Sequence, residues 1–374
     1  MKYTALRDVC EINMGQSPDS SSYNEEGRGI PFFQGNADFG ERNPVTRVWC
    51  DAPSKIAKAN DILISVRAPI GAVNYATETC CIGRGLAAIT PDLNRVSSEY
   101  VFWLLKGKNA ELNSKGTGST FKAINRKALE EIQVPDVSLE EQAAHAANLE
   151  AAYKIIQMRK QQLSILDNLI KARFVEMFGD PKLNPKGYPV HELSEFIQFL
   201  TSGSRGWAEY CVDDGSEWFI TIKNVKDCHI TTDNLQPINA PDNAEARRTR
   251  VQEGDLLISI TADLGRTGVV TKEIADHGAY INQHLTCIRL DSEALEPLYV
   301  AYFMESSAGK EQFVSKNQSA VKAGLNFNSI NTLRLIVPPM TVQREFLRFV
   351  AQIDKSKFLM INHQAQTHLI ENLR

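Results

Sequence analysis

The chain of 374 residues is longer than one ordinary domain and can form two hydrophobic cores with connecting segments. Apolar residues make up 43% and charged residues 23%, a globular composition that excludes a wholly disordered chain. The formal net charge of -4 excludes a uniformly basic nucleic-acid coat, although basic residues can still gather on one face.

The N-terminal segment and the apolar runs predict a cytoplasmic protein. The segment MKYTALRDVCEIN has no basic stretch followed by an apolar leader, and no apolar run reaches the roughly 18 residues of a membrane helix. The seven cysteines are scattered, and Cys80 and Cys81 are adjacent. This pattern predicts reduced structural thiols rather than disulfides or a metal knuckle.

The first predicted elements are short strands. The blocks IPFFQGN from Ile30, DILISV from Asp61 and CIGRGLAAI from Cys81 are apolar and bounded by Gly, Asn or Asp, as buried strands that end in turns are. From Ser98, aromatic and apolar residues recur at helical spacing. Residues 1–138 are therefore predicted to form an α+β domain.

A long helix follows at residues 139–180. Ser138 and Glu141 form a capping box, and neither Pro nor Gly interrupts the sequence from Leu139 to Phe178. Apolar residues recur every seven positions, with a partial second seam, as a coiled coil requires. The predicted seam of this helix consists of Leu149, Ile156, Leu163, Leu166, Ile170 and Phe174. The prolines and glycines of GDPKLNPKGYP then form a linker.

The remainder of the chain repeats this order. WFITIKN from Trp218 matches IPFFQGN, DLLISI from Asp255 matches DILISV, and YINQHLTCI from Tyr280 matches CIGRGLAAI. EYVFWLL then matches PLYVAYFM, and IQVP matches LIVP. Residues 181–340 are predicted to be a linker and a second α+β domain. Residues 341–374 are predicted to be a second, shorter helix, with the seam Phe346, Val350, Ile353 and Met360.

The two helices are predicted to pair with each other, because each leaves an apolar stripe exposed. Since each follows a copy of the same domain, a pseudo-twofold repeat would make the pair antiparallel. A helix of this length spans about 50 to 60 Å at ~1.5 Å per residue. Half-sites one DNA turn apart need about 34 to 36 Å, so the pair is long enough to act as a ruler. A duplicated scaffold with a coiled-coil dimerisation arm is the simpler alternative.

The order of domain, long helix, FGDPKLNPKGYP linker, domain and long helix resembles the specificity subunit of type I restriction-modification systems across essentially the whole chain. DILISVRAPIG, CIGRGLAAI, GSTFKAI and LDNLIKARFVEMFGDP also resemble that family. The resemblance implies two target-recognition domains that read an asymmetric, two-part DNA target. It also implies helices that dock two methyltransferase subunits and, through them, restriction subunits. One departure is that the second helix ends near the counterpart of Lys171.

No pattern of catalytic residues is recognisable, so the chain is predicted not to be an enzyme and to need no cofactor or metal. Asn184 and Pro185 are followed by Lys and Gly, unlike an amino-methyltransferase motif, and no glycine-rich turn for a methyl donor is present. The acidic residues near Asp242 and Glu245 match a nuclease site poorly. The histidines lack metal-ligand spacing.

The candidate DNA-binding residues lie in predicted loops. Arginine can bind guanine, glutamine can bind adenine, and basic loops beside glycine contact phosphate. Salt bridges and solvated turns are the alternative roles for these side chains. The candidates are Arg67, Arg84, Lys122, Arg205, Lys223, Asn224, Arg266, Gln283, His284 and Lys322.

The sequence is also compatible with two other functions. A tandem protein-interaction adaptor could use both domains without DNA, and a divergent nuclease or methyltransferase comes third. Neighbouring genes for a methyltransferase and a translocating nuclease would favour the specificity subunit.

Overall fold

The computed structural model describes the backbone of residues 2–117, 122–203, 205–317 and 324–371, and the side chains as far as residue 361. The chain divides into two compact units, Met1–Met158 and Arg159–Arg374. The long helix crosses this division, so each unit contains part of it.

The first unit is a mixed α/β fold. Its strands are β1 (Tyr3–Ala5), β2 (Cys10–Met14), β3 (Tyr23–Asn24), β4 (Ile30–Phe33), β5 (Trp49–Cys50), β6 (Ile56–Ala57), β7 (Ile62–Ser65), β8 (Val73–Tyr75), β9 (Cys80–Ile82), β10 (Leu86–Pro91) and β11 (Gln133–Pro135). Its helices are α1 (Leu6–Val9), α2 (Ser98–Gly107), α3 (Asn109–Ser114), α4 (Arg126–Glu130) and the start of α5 (Leu139–Phe178).

The second unit contains the end of α5 and the following elements. Its strands are β12 (Val190–Glu192), β13 (Ile197–Ser202), β14 (Glu217–Ile220), β15 (Val225–Lys226), β16 (His229–Ile230), β17 (Gln236–Ile238), β18 (Leu256–Ser259), β19 (Thr267–Val269), β20 (Ala279–Ile281), β21 (Leu285–Leu290) and β22 (Arg334–Ile336). Its further helices are α6 (Ala244–Thr249), α7 (Lys272–His277), α8 (Pro297–Glu305), α9 (Ser307–Ser315), α10 (Phe327–Asn331) and α11 (Met340–Glu371).

Two sheets of each unit have the same topology. The antiparallel sheet β2–β10–β7–β8 corresponds to β13–β21–β18–β19, and the pair β1–β11 corresponds to β12–β22. A parallel pairing also recurs, between β4 and β9 and between β14 and β20. The blocks matched in the sequence fall on these equivalent strands and on α2 and α8. The predicted duplication of an α+β domain is therefore confirmed.

Both faces of the central strands are buried, which explains their unbroken apolar sequences. In β7, Ile62 and Ile64 pack with helix α2, whereas Leu63 packs on the opposite face with Phe33. In β18, Leu256 and Ile258 likewise pack on one face and Leu257 packs on the opposite face. Successive side chains of a strand point to opposite faces, so both faces need apolar residues here.

A buried glutamine joins each long helix to its domain. The Gln142 Oε1 accepts a hydrogen bond from the backbone N of Ser97 at 2.7 Å, at the start of α2. In the second unit, the Gln343 Oε1 accepts one from the backbone N of Glu296 at 3.0 Å, at the start of α8. Both glutamines are buried. These paired contacts orient each long helix on its own domain.

A buried ion pair in the second unit supports one stability prediction. Asp255 is fully buried, and Arg289 donates to it from Nε at 2.8 Å and from Nη2 at 2.7 Å. Arg289→Leu leaves this carboxylate without its cation, and we expect a loss of about 3 to 5 kcal/mol in the free energy of unfolding.

Urea unfolding would measure the free energy of unfolding of Arg289→Leu and of Thr90→Val, which is the matched control in the first unit. In the first unit, the counterpart Asp61 accepts from the Thr90 Oγ1 at 2.7 Å, a neutral donor. Losing this hydrogen bond should cost only about 1 kcal/mol. Equal losses for both variants would show that the ion pair has no special role.

Candidate nucleic-acid interface

Three loops of the first unit lie side by side at the ends of its strands. The Val66 N, after β7, donates to the Gly85 O between β9 and β10 at 2.9 Å. The segment before α4 joins them, because the Ala68 N donates to the Lys122 O at 3.1 Å. The resulting surface, formed by 66–71, 83–85 and 122–124, is called the first loop cluster.

This cluster brings together the three basic candidates of the first domain. Arg67, Arg84 and Lys122 each lie on a different loop of the cluster, and all three side chains are exposed. Among the described residues, none has an ion-pair partner for its side chain. Exposed cations that are not neutralised within the chain suit contacts with phosphate or with guanine.

Internal hydrogen bonds hold the loop after β7 in a fixed shape. The Ser65 Oγ donates to the Pro69 O at 2.7 Å, and the Gly71 N donates back to the Ser65 O at 2.9 Å. In the second unit, the Gly265 N donates to the Ser259 O at 2.9 Å in the equivalent loop. Gly265 has φ +75°, and a Cβ there would lie 2.1 Å from the Phe313 ring, so only glycine fits.

The second unit has a second loop cluster, formed by residues 260–266, 282–284, 203 and 205–206. The Ile260 N donates to the His284 O at 2.9 Å, and the Gly203 N donates to the Leu285 O at 3.1 Å. Gln283 and His284 are half-buried in it, and Arg205 is exposed. The candidate Lys322 lies outside the described residues.

Two candidates of the second unit have contacts that give them structural roles. Arg266 forms an ion pair with Asp263 in its own loop. Asn224 is buried, and its Oδ1 accepts from the Thr221 N at 3.0 Å and from the Thr221 Oγ1 at 2.9 Å. Its neighbour Lys223 is exposed. Of these two neighbours, Lys223 is therefore the better placed to contact a ligand.

Sequence reasoning missed two polar side chains beside the clusters. Gln34, exposed at the end of β4, donates from Nε2 to the Ser17 Oγ at 3.0 Å, and that hydroxyl accepts from the Arg84 N at 3.2 Å. Arg248 on α6 donates to the Ser202 O at 2.9 Å, next to Gly203. The signal for Gln34 was a polar residue directly after a buried strand. Arg248 gave no repeat signal, because the described residues of the first unit contain no helix equivalent to α6.

Within the second unit, the end of α5 packs against α11. The Phe346 ring lies 5.4 Å from the Phe174 ring and 5.5 Å from the Phe178 ring. The Lys357 Nζ lies 2.6 Å from the Asp167 Oδ1, and the Arg173 Nη2 lies 3.2 Å from the Glu345 Oε1. The predicted seam residues that are buried here are Ile170, Phe174, Phe346, Val350 and Ile353.

The other predicted seam residues are less covered. Ile156, Leu163, Leu166 and Met360 are half-buried. Leu149 is 47% exposed and borders an open groove with Trp103 and Leu104 of α2, so it does not continue the buried seam.

The cysteines have the environment of structural residues. All seven, each within the described residues, are free thiols. Burial, with a smaller contribution from the Asp92 carboxylate, raises the pKa of the Cys10 thiol to about 12. Burial likewise raises the pKa of Cys80 to about 12. Such thiols are protonated at neutral pH and react poorly. Among the described residues, no group of three or more His, Cys, Asp or Glu side chains is placed to hold a metal ion.

Comparison with known families assigns the fold. The sequence model described as "Type I restriction modification DNA specificity domain" matches residues 1–167 and 232–369. The chain belongs to this family. One matched region lies in each copy of the repeated domain, which fits two recognition domains. The match also favours DNA specificity over a protein-interaction adaptor.

Specificity subunits of other systems are similar to this chain, with different sequence identities and over different lengths. The type I restriction enzyme MjaIX specificity subunit of Methanocaldococcus jannaschii is 24% identical over 397 residues, 99% of this chain and 89% of that protein. A second M. jannaschii protein is 45% identical over 152 residues. Its name describes it as a type I restriction enzyme MjaX specificity subunit. That match spans 41% of this chain and 36% of the relative. The crystal structure of the S subunit from M. genitalium has the same fold, with a TM-score of 0.55, 14% identity and coverage of 100% and 94%.

Where the structure describes the chain, every helix is too short or too polar to cross a membrane. The relatives are named as specificity subunits, in agreement with the prediction that the chain is not an enzyme.

Proposed function

We propose that this specificity-family chain is the DNA sequence-recognition subunit of a type I restriction-modification complex. In this proposal, each recognition domain reads one half of an asymmetric target through its loop cluster. The supporting observation is the loop cluster that forms in each unit. In the first unit it presents Arg67, Arg84 and Lys122, none of which has an ion-pair partner in the part of the chain that the structure describes. Exposed cations on adjacent loops provide both phosphate contacts and base contacts.

The DNA contacts in the second unit would come from Arg205, Lys223, Gln283 and Arg248. Arg266 would contribute after exchanging its Asp263 partner for a phosphate. The two clusters use different side chains at equivalent positions, Arg84 in one and Gln283 in the other. Different side chains in equivalent loops would give an asymmetric target.

The long helices α5 and α11 would form an antiparallel coiled coil that separates the two recognition domains. A pseudo-twofold axis would relate the two halves of the chain. The contacts within the second unit support this direction, since Asp167 pairs with Lys357 whereas the later Arg173 pairs with the earlier Glu345. We propose that two methyltransferase subunits dock on these helices and that restriction subunits join through them. The assembly would act in the cytoplasm.

Exchange of one domain tests the proposal directly. Replacing residues 1–138 with the matching domain of a relative should change one half of the methylated DNA site and leave the other half unaltered, because each loop cluster reads separately. Sequencing of methylated bases in cells that carry the chimera and its methyltransferase subunit would show the site. Alteration of both halves, or of neither, would contradict modular reading.

A further inference from the structure

Gln283 and its neighbours form a polar chain in the second loop cluster. The Thr261 Oγ1 lies 2.6 Å from the His284 Nδ1, and the His284 Nε2 lies 3.2 Å from the Gln283 Nε2. The backbone also fixes the histidine, because its N donates to the Asn282 Oδ1 at 3.1 Å and its O accepts from the Ile260 N. Three loop side chains are thus connected in series from Thr261 to Gln283.

The donors and acceptors of this chain are compatible with one arrangement of protons. The Gln283 Nε2 can only donate, so the His284 Nε2 must accept and the imidazole proton lies on Nδ1. Nδ1 then donates to the Thr261 hydroxyl oxygen. The contact uses one of the two N–H groups of the Gln283 amide and leaves the other N–H and the Oε1 for another partner.

The hydrogen bonding of the Gln283 Oε1 is incomplete. It is buried and, among the described residues, has no hydrogen-bond partner. A buried acceptor without a donor is unfavourable, and the few that occur in native proteins need an explanation. Here the unpaired oxygen lies in a loop between two strands of a recognition domain, where a donor from outside the chain can complete it.

We propose, on the basis of the proposed DNA-recognition function, that Gln283 reads an adenine in the second half-site. Adenine offers an N6–H donor for Oε1 and an N7 acceptor for the remaining N–H, whereas guanine offers two acceptors at the same edge. His284 and Thr261 are positioning residues that set which way the amide faces. Since Oε1 is covered in the free chain, the contact involves a local movement of the loop on binding.

Variants of Gln283 distinguish base reading from support of the fold. The complex of this chain with its methyltransferase subunit is used to select from DNA in which the second half-site is randomised. The wild type should select one adenine that Gln283→Ala no longer selects, with a roughly ten- to hundredfold loss of preference at that base pair. Gln283→Glu, which keeps the shape and the acceptor but lacks the N–H groups, should shift the preference toward cytosine.

Thr261→Val tests the positioning role. Valine keeps the shape of threonine but cannot accept from the His284 Nδ1, so the imidazole is free to change tautomer and the amide to turn round. The preference for adenine should weaken at the same base pair as in Gln283→Ala, and the other positions should keep theirs. A purely structural role of Thr261 would instead lower affinity for all sequences equally.

Lys223→Ala is the matched control, because an exposed lysine on a neighbouring turn should weaken binding to all sequences without changing the selected bases. The first half-site serves as an internal control in every selection. Unchanged selection at every position by both Gln283 variants would overturn the inference while leaving the proposed function intact. Absence of any selected sequence for the wild type would overturn the proposed function itself.

Discussion

Phe346→Ala is expected to lower the free energy of unfolding of the second unit by about 3 to 5 kcal/mol, the usual cost of removing a fully buried phenylalanine. Phe346 is completely buried, and its ring lies within 5.5 Å of the rings of Phe174, Phe178 and Tyr302. The substitution leaves a cavity where α5, α8 and α11 meet. Urea unfolding followed by hydrogen exchange, which resolves the two units, would measure the loss.

Phe358→Ala provides the control on the same helix. Phe358 is 63% exposed, so its removal should change the free energy of unfolding by no more than about 0.5 kcal/mol. Similar small effects of both substitutions would mean that the end of α5 does not pack on α11 as the structure has it.

A fragment that ends at Asp180 is expected to form a homodimer with altered DNA specificity. The fragment retains the first recognition domain and the whole of α5 but loses the side chains that cover Ile170, Phe174 and Phe178 in the second unit. This exposed stripe can pair with the same stripe of a second copy about a twofold axis. Two identical domains would then read an interrupted palindrome of the first half-site.

Co-expression of the fragment with the methyltransferase subunit, followed by sequencing of methylated DNA, would reveal the palindrome. A matched fragment carrying Phe174→Ser and Phe178→Ser should remain monomeric in size-exclusion chromatography and methylate no specific site. A monomeric fragment without these substitutions, or a site that is not palindromic, would contradict the internal-symmetry account.

Much of the fold follows from the sequence, because the repeat and the apolar strands are local patterns. The blocks at Ile30 and Asp61, with their second copies, are observed as equivalent strands. Helix α5 covers the predicted residues Leu139–Phe178, since a capping box begins it and Gly179 follows it. The sequence also predicts that Arg67, Arg84 and Lys122 lie in loops, but their grouping in one cluster comes from the structure.

Other features depend on tertiary contacts that a sequence pattern does not contain. Gln142 and Gln343 are polar residues with buried, satisfied amides, so no apolar periodicity reveals them. Leu149 fits the heptad but borders the groove beside α2, because heptad spacing gives the face of a helix without giving its neighbour. Asn224 has the residue type of a base reader, yet a turn already uses its amide.

The central claim is that one chain without enzymatic activity reads a two-part DNA target for a partner methyltransferase. Sequencing of methylated bases in DNA from cells that carry this chain and its methyltransferase subunit tests it most directly. The account predicts methylation at one asymmetric site of two defined halves separated by unread base pairs, and none with the purified chain alone. Methyl transfer by the chain alone, or methylation at a single uninterrupted sequence, would contradict it.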